Sequence, residues 1–413
     1  MNRSPKSPVS RTPASADDAR AVRHFDEAAL EALARRIKTW GRELGFGAIG
    51  ISDTDLSAAE APLAAWLEAG CHGEMDYMAK HGMKRARPAE LVAGTRRVIT
   101  ARIAYLPTQM PGAKAAESTL SDAAPVPQNW RAAEHARLAD PSAAVVSIYA
   151  RGRDYHKVMR NRLQHLADKI EAEIGAFGYR VFTDSAPVLE VELAQKAGIG
   201  WRGKHTLLLQ RDAGSLFFLG EIYVDVPLPT DADTAPEQAP ETPGSHCGSC
   251  TRCISACPTG AIVAPYKVDA RLCISYLTIE LKGSIPLELR PLIGNRVYGC
   301  DDCQLVCPWN KFAQAAPVAD FDVRHGLDRA TLVELFGWSA DEFDTRMQGS
   351  AIRRIGYECW LRNLAVGMGN ALRAPRESLS EDARAAIVAA LRSRTGDPSA
   401  LVREHVEWAL EAA

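Results

Sequence analysis

The run Cys247-Gly-Ser-Cys250-Thr-Arg-Cys253-Ile-Ser-Ala-Cys257-Pro258 and its echo Cys300-Asp-Asp-Cys303-Gln-Leu-Val-Cys307-Pro308 decide how this chain is read. With Cys273 between them they hold eight of the ten cysteines of the chain. The first run has the C-x2-C-x2-C-x3-C-P spacing of bacterial ferredoxins, in which the fourth cysteine of a run ligates the cluster of the other run. Two 4Fe-4S clusters need eight thiolates, and eight are present. The crossed assignment puts Cys247, Cys250, Cys253 and Cys307 on one cluster and Cys257, Cys273, Cys300 and Cys303 on the other. Zinc is the alternative, but closed zinc sites use paired ligands rather than four cysteines in one tight loop. Cys71 and Cys359 stand apart and read as buried packing residues.

Around this centre, 413 residues are enough for two or three domains. A hydrophobic content of 46% and a charged content of 24% belong to a soluble globular protein with a large core. The formal net charge is only −2, so a nucleic-acid partner has to meet a local basic face. The N-terminal stretch lacks the apolar core of a signal peptide, and no window approaches the ~18 apolar residues of a membrane span. A cytoplasmic protein without a membrane partner is therefore expected, with reduced thiols available for metal.

The pattern along the chain predicts an α+β protein. A disordered tail over 1–24 precedes a domain over 25–226, in which helical spacing at 25–44, 155–175 and 188–197 alternates with apolar runs at 46–51, 98–106, 144–149, 179–182, 207–210 and 216–224. Residues 107–142 read as a surface excursion. Prolines mark a linker over 227–246, the ferredoxin-like unit spans 247–315, and 320–413 reads as helices. The pair 380–394 and 399–412, split by Gly396-Asp397-Pro398, suits a helical hairpin of the HEAT type.

A bare electron carrier would not need some 200 residues ahead of its clusters, so the N-terminal domain should receive the electrons. There Thr183-Asp184-Ser-Ala-Pro187 ends a strand and opens a helix. Asp184 is a candidate acid or base, although the same position suits a helix cap. The loop Gly198-Ile-Gly200-Trp201-Arg-Gly203-Lys204-His205 offers close backbone approach to a ligand or a tight turn. Basic residues gather at Lys84, Arg85, Arg87, Arg96, Arg97 and Arg102, at Arg151, Arg153, Lys157, Arg160, Arg162 and Lys169, and at Arg353, Arg354 and Arg362. They read either as solvated surface or as a phosphate-backbone footprint.

Taken together, Ser147-Ile-Tyr-Ala-Arg-Gly-Arg-Asp154-Tyr155-His156, the 183–187 motif, 198–206, the cysteine block and Tyr298-Gly-Cys300 through Asn310 resemble the epoxyqueuosine reductase family. The resemblance covers about 25–315, and 353–370 is similar to the family's C-terminal helices. It implies a fold shared with reductive dehalogenases, a base-off cobalamin in the N-terminal domain, and reduction of epoxyqueuosine on transfer RNA as the last step to queuosine. A monomer fed by an external low-potential electron donor is expected. It also implies Asp184 as proton donor, with Arg85, Ser147, Leu208 and Leu219 beside the cofactor. Composition and spacing alone stop at a redox acceptor. The rival readings are a cobalamin-dependent reductive dehalogenase, against which stand the missing export signal and the basic stretches, and a plain two-cluster carrier. An Asp184 that donates at neutral pH is expected to be buried, with its pKa raised.

Overall fold

A computed structural model describes residues 26–108, 129–234 and 246–413. The tail expected over 1–24, most of the excursion over 107–142 and the later part of the linker over 227–246 lie outside these residues. Helix α1 (Glu27–Glu43) starts where the Asp26 side chain accepts the Ala29 N–H, and it buries Leu33, Ala34 and Ile37. Its Gly41 lies so close to the next strand that an added Cβ would sit 1.8 Å from Ile49 Cδ1. A side chain at this position would force Ile49 to shift.

Four strands form the N-terminal sheet: β1 (Ala48–Ser52), β2 (Arg97–Ala104), β3 (Tyr179–Phe182) and β4 (Phe217–Val224). The order is β1-β2-β4-β3, and every pairing is antiparallel. Helix α1 and helix α2 (Tyr155–Ile174) cover one face through Leu33, Ile37, Met159, Leu163 and Leu166 against Ile99, Ala101 and Ile222. Helix α3 (Glu190–Lys196) covers the other, with Leu193 against Val98, Phe182 and Tyr223. Both faces are buried, which is why these strands read as continuous apolar runs.

Three expectations meet a different structure. Within the predicted strand 144–149 only Val145–Val146 pairs, in parallel with Arg296–Tyr298. The ladder stops because the Ile148 N–H donates to the Asp301 carboxylate at 2.8 Å and the chain turns into a short 3-10 segment. Residues 227–234 do not leave the first domain as a linker: Leu228 is buried in its core, and buried Asp231 accepts the Ile51 N–H and pairs with Lys38. No packing boundary separates 247–315 from the C-terminal helices, because one core runs from Val146 through Leu277 and Val297 to Leu364 and Val406.

At the centre of that core is α4 (Gly356–Arg373), packed against α5 (Glu381–Arg392) and α6 (Ala400–Leu410). Arg362 on α4 is wholly buried, and its guanidinium donates to the carbonyls of Leu277, Leu281 and Gly283. It holds the segment between Cys273 and Cys300 rather than facing a nucleic acid. Arg362→Leu strands three buried carbonyls and is expected to cost about 3 kcal/mol or more, read as a lowered urea midpoint.

Candidate active site

A cavity of about 420 Å³ lies between the N-terminal sheet and the cysteine runs. Leu208, Phe217, Phe218, Leu219, Ile262 and Ile274 give it apolar walls. Cys257, Cys273, Cys300 and Cys303 line it, whereas Cys247, Cys250, Cys253 and Cys307 do not. This division matches the crossed assignment. The mutual influence of the thiols is strongest within these groups, although Cys253 also raises Cys303. Burial, then Cys247, Cys253 and Cys250, pushes Cys307 up to about 11, while Cys303 is raised by burial and then by Cys273. Cys273, the ligand with the least regular spacing, is raised by burial and also neighbours Cys257.

Opposite these thiols stands Asp184, just past the end of β3, in the left-handed region at φ +42°. A non-glycine residue held there is strained, and here the strain turns the carboxylate toward two donors. Tyr155 donates its hydroxyl to Asp184 Oδ2, and His156 Nε2 lies 3.1 Å from the same oxygen. His156 Nδ1 in turn lies 2.8 Å from Asp154 Oδ1, and Asp154 caps α2 by accepting the His156 N–H. Tyr155 is fixed by stacking between His156 and Phe218. The cap alternative for Asp184 is not realised, since Leu189 occupies the N-cap of α3.

The titration of Asp184 runs opposite to expectation. Burial pushes its carboxyl up, but hydrogen bonds from His156 and Tyr155, with the charges of His156 and Arg354, outweigh this and leave it below the usual carboxylate value. Its side chain is 45% exposed, and that free surface belongs to the cavity wall. Burial alone pulls His156 down, yet hydrogen bonds to Asp154 and Asp184 and their charges carry it up to about 9. At neutral pH the proton therefore rests on His156, between two carboxylates.

Of the other residues expected at the site, Ser147, Leu208 and Leu219 line the cavity, and Ser147 donates its hydroxyl to Asp301. Arg85 does not line it. Its buried guanidinium donates to the carbonyls of Tyr77, Met78 and Ala186 and so braces the Asp184 loop from behind. The glycine loop is a turn: an added Cβ at Gly200 would meet the Leu209 carbonyl at 2.0 Å where 201–202 pairs with 208–209. His205, at its end, does line the cavity. Burial pulls its pKa down to about 4, and Nδ1 accepts the Leu207 N–H, so Nε2 carries the proton and has no partner among the described residues. Asp154, Tyr155, His156 and His205 stand in the quoted motifs without roles, three polar side chains at the start of a helix and one at the end of a turn, and Glu190 carried no signal of its own.

Residues 246–310 match the model of a 4Fe-4S double cluster binding domain, and residues 85–185 match the family described as Epoxyqueuosine reductase QueG, DUF1730. An epoxyqueuosine reductase of Burkholderia pseudomallei is 77% identical, with 100% of both chains covered. The chain belongs to the epoxyqueuosine reductase family. The epoxyqueuosine reductase of Pseudomonas aeruginosa is 57% identical, over 92% of this chain and 94% of that one. The solved epoxyqueuosine reductase of Bacillus subtilis superposes with a TM-score of 0.74 at 25% identity, covering 93% and 91% of the two chains. An epoxyqueuosine reductase solved with an epoxyqueuosine-modified tRNA stem loop shares the fold, with a TM-score of 0.72 at 23% identity over 93% of this chain and 99% of that one.

Because His156 titrates above its ordinary value of 6.5, its pairing stabilises the fold fully below that pH and the contribution is lost as pH rises through about 9. NMR titration of the imidazole should give a midpoint near 9. Asp184→Asn should move it downward, and an unshifted midpoint would refute the pairing.

Proposed function

We propose that this protein reduces epoxyqueuosine to queuosine at the wobble position of transfer RNA, using cobalamin and two 4Fe-4S clusters. The observation that carries this reading is one cavity lined by four thiols of a double-cluster motif and by Asp184, whose carboxylate is paired with the proton-bearing His156. Curated relatives at 77% and 57% identity bear the name of this activity. In this reading Cys247, Cys250, Cys253 and Cys307 hold the outer cluster, and Cys257, Cys273, Cys300 and Cys303 hold the one at the cavity. The N-terminal unit is then a cobalamin-binding fold of the reductive-dehalogenase type, and the hairpin of α5 and α6 is a HEAT-type unit.

The residues present suit a base-off cobalamin. Leu208, Phe217, Phe218 and Leu219 would offer apolar walls to a flat macrocycle, and Ser147 and the uncommitted buried Nε2–H of His205 would offer it polar groups. When bound, cobalamin supplies cobalt chemistry that no side chain provides, with electrons from an external low-potential donor passed through the clusters. The protein supplies position and protons. Asp154 keeps His156 charged, His156 gives its proton through Asp184 to the leaving epoxide oxygen, and Tyr155 holds Asp184 in line. Asp184 is thus the proton donor at the point of contact, refilled by His156.

Few of the basic residues remain for the nucleic acid. Arg102 and Arg151 are buried, Arg87 pairs with Glu60, and Arg353 pairs with Asp344. Arg354, 44% exposed, is paired with Glu280 and lies within the electrostatic reach of Tyr155 and Asp184. Lys157, exposed on the first turn of α2, follows His156 directly. These two are the phosphate contacts this reading assigns to the cavity mouth. Among the described residues no helix is long and apolar enough to cross a membrane. We take the protein to act in the cytoplasm as a monomer.

The test is anaerobic conversion of an epoxyqueuosine-containing anticodon stem loop, followed by mass analysis of the nucleosides for loss of one oxygen. Asp184→Ala is expected to lower turnover by about 10² or more while the stem loop still binds; turnover like the wild type would refute the role. The wild-type rate should fall as pH rises through about 9, where His156 loses its proton. Lys157→Ala and Arg354→Ala should each weaken stem-loop binding and flatten its salt dependence by about one phosphate contact.

A further inference from the structure

Behind Asp184 lies a pair of acids that the relay does not use. Glu190 opens α3, its Oε1 accepts the Asp184 N–H at 2.7 Å, and its side chain reaches the cavity wall. Glu221 lies on β4, wholly buried, and neither of its carboxyl oxygens has a partner among the described residues. Thr100 stands opposite it on β2, and the hydroxyls of Thr100 and of Tyr223 are buried and unpartnered as well.

A charged carboxylate at Glu221 would lose its hydration with nothing in return, so this group keeps its proton. Burial, followed by the charges of Glu190 and Asp184, raises it well above the usual carboxylate range. Glu190 feels both neighbours. Burial and then the Asp184 charge move it up to about 8. The titratable groups facing the pair are Asp184, His156 and Tyr223, of which His156 alone is a cation. Neighbouring carboxyls shielded from water share their protons rather than all ionising.

We propose that Glu190 is the second acid of this site, giving the second of the two protons consumed when the epoxide oxygen leaves as water, while Glu221 holds a proton behind it. The proposal rests on the functional reading above. Its balance is complete: two C–O bonds break, one C=C bond forms, two electrons come from the external reductant, and two protons reach the oxygen. The first proton arrives from His156 through Asp184, and the second from the Glu190 carboxyl. Both donors are recharged from solvent between turnovers.

Glu190→Gln keeps an acceptor for the Asp184 N–H through its amide oxygen, so the loop geometry survives the test. Infrared spectra of the protein without cobalamin, taken near neutral pH, should contain two protonated-carboxyl stretching bands. Glu190→Gln should remove the band that titrates near 8, and Glu221→Gln the other. In the loaded enzyme Glu190→Gln should lower kcat by about a hundredfold with stem-loop affinity unchanged. Its alkaline limb should fall with the first power of proton concentration where the wild type falls with the second. Intact wild-type conversion together with an undiminished Glu190→Gln rate, or the lack of any carboxyl band that Glu190→Gln removes, overturns this proposal alone. Failure of the wild type to convert the stem loop would overturn the functional reading and this inference with it.

Discussion

The crossing of the cysteine runs is the constraint on which the rest of the molecule depends. Because Cys307 comes back to Cys247, Cys250 and Cys253, and Cys257 lies with Cys273, the two runs face each other. One group of thiols is thereby turned to the cavity and the other away from it. Each half of the chain is then fastened to this knot. The N-terminal half of the chain meets it through the parallel pairing of Val145–Val146 with Arg296–Tyr298 and through Asp301 under Ser147 and Ile148. The C-terminal helices meet it through Arg362 and Asn363, which tie down the carbonyls of Leu277, Leu281 and Val297.

Electrostatics at the cavity follow from the same enclosure. Low-dielectric walls make each charge dependent on its neighbours, so His156 is positive because two carboxylates flank it, and Asp184 is negative because it has two donors. His205, with no counter-charge, is neutral. A proton source at neutral pH is therefore built from a histidine rather than from a raised aspartic acid.

The sequence made legible what depends on local spacing. The helices over 27–43 and 155–174 followed from apolar periodicity. Whatever depends on a partner distant in sequence was not legible. Arg362 and Arg102 looked like surface charge, because the carbonyls and the glutamines 210 and 314 that bury them lie elsewhere in the chain. The direction of the Asp184 shift required knowing that Tyr155 and His156, 28 or more residues earlier, converge on one oxygen. The segment 227–234 looked like linker by its prolines, but buried Leu228 and the contacts of Asp231 with Ile51 and Lys38 close the first core.

The central claim is that electrons and protons meet in the one cavity between Cys303 and Asp184. The most direct test is electron paramagnetic resonance of the anaerobically reconstituted protein loaded with cobalamin. Reducing the clusters should split or broaden the cobalt signal through coupling to a cluster held by the cavity thiols, and Asp184→Asn should leave that coupling in place. A cobalt signal unchanged by cluster reduction would place the cofactor elsewhere and contradict the account.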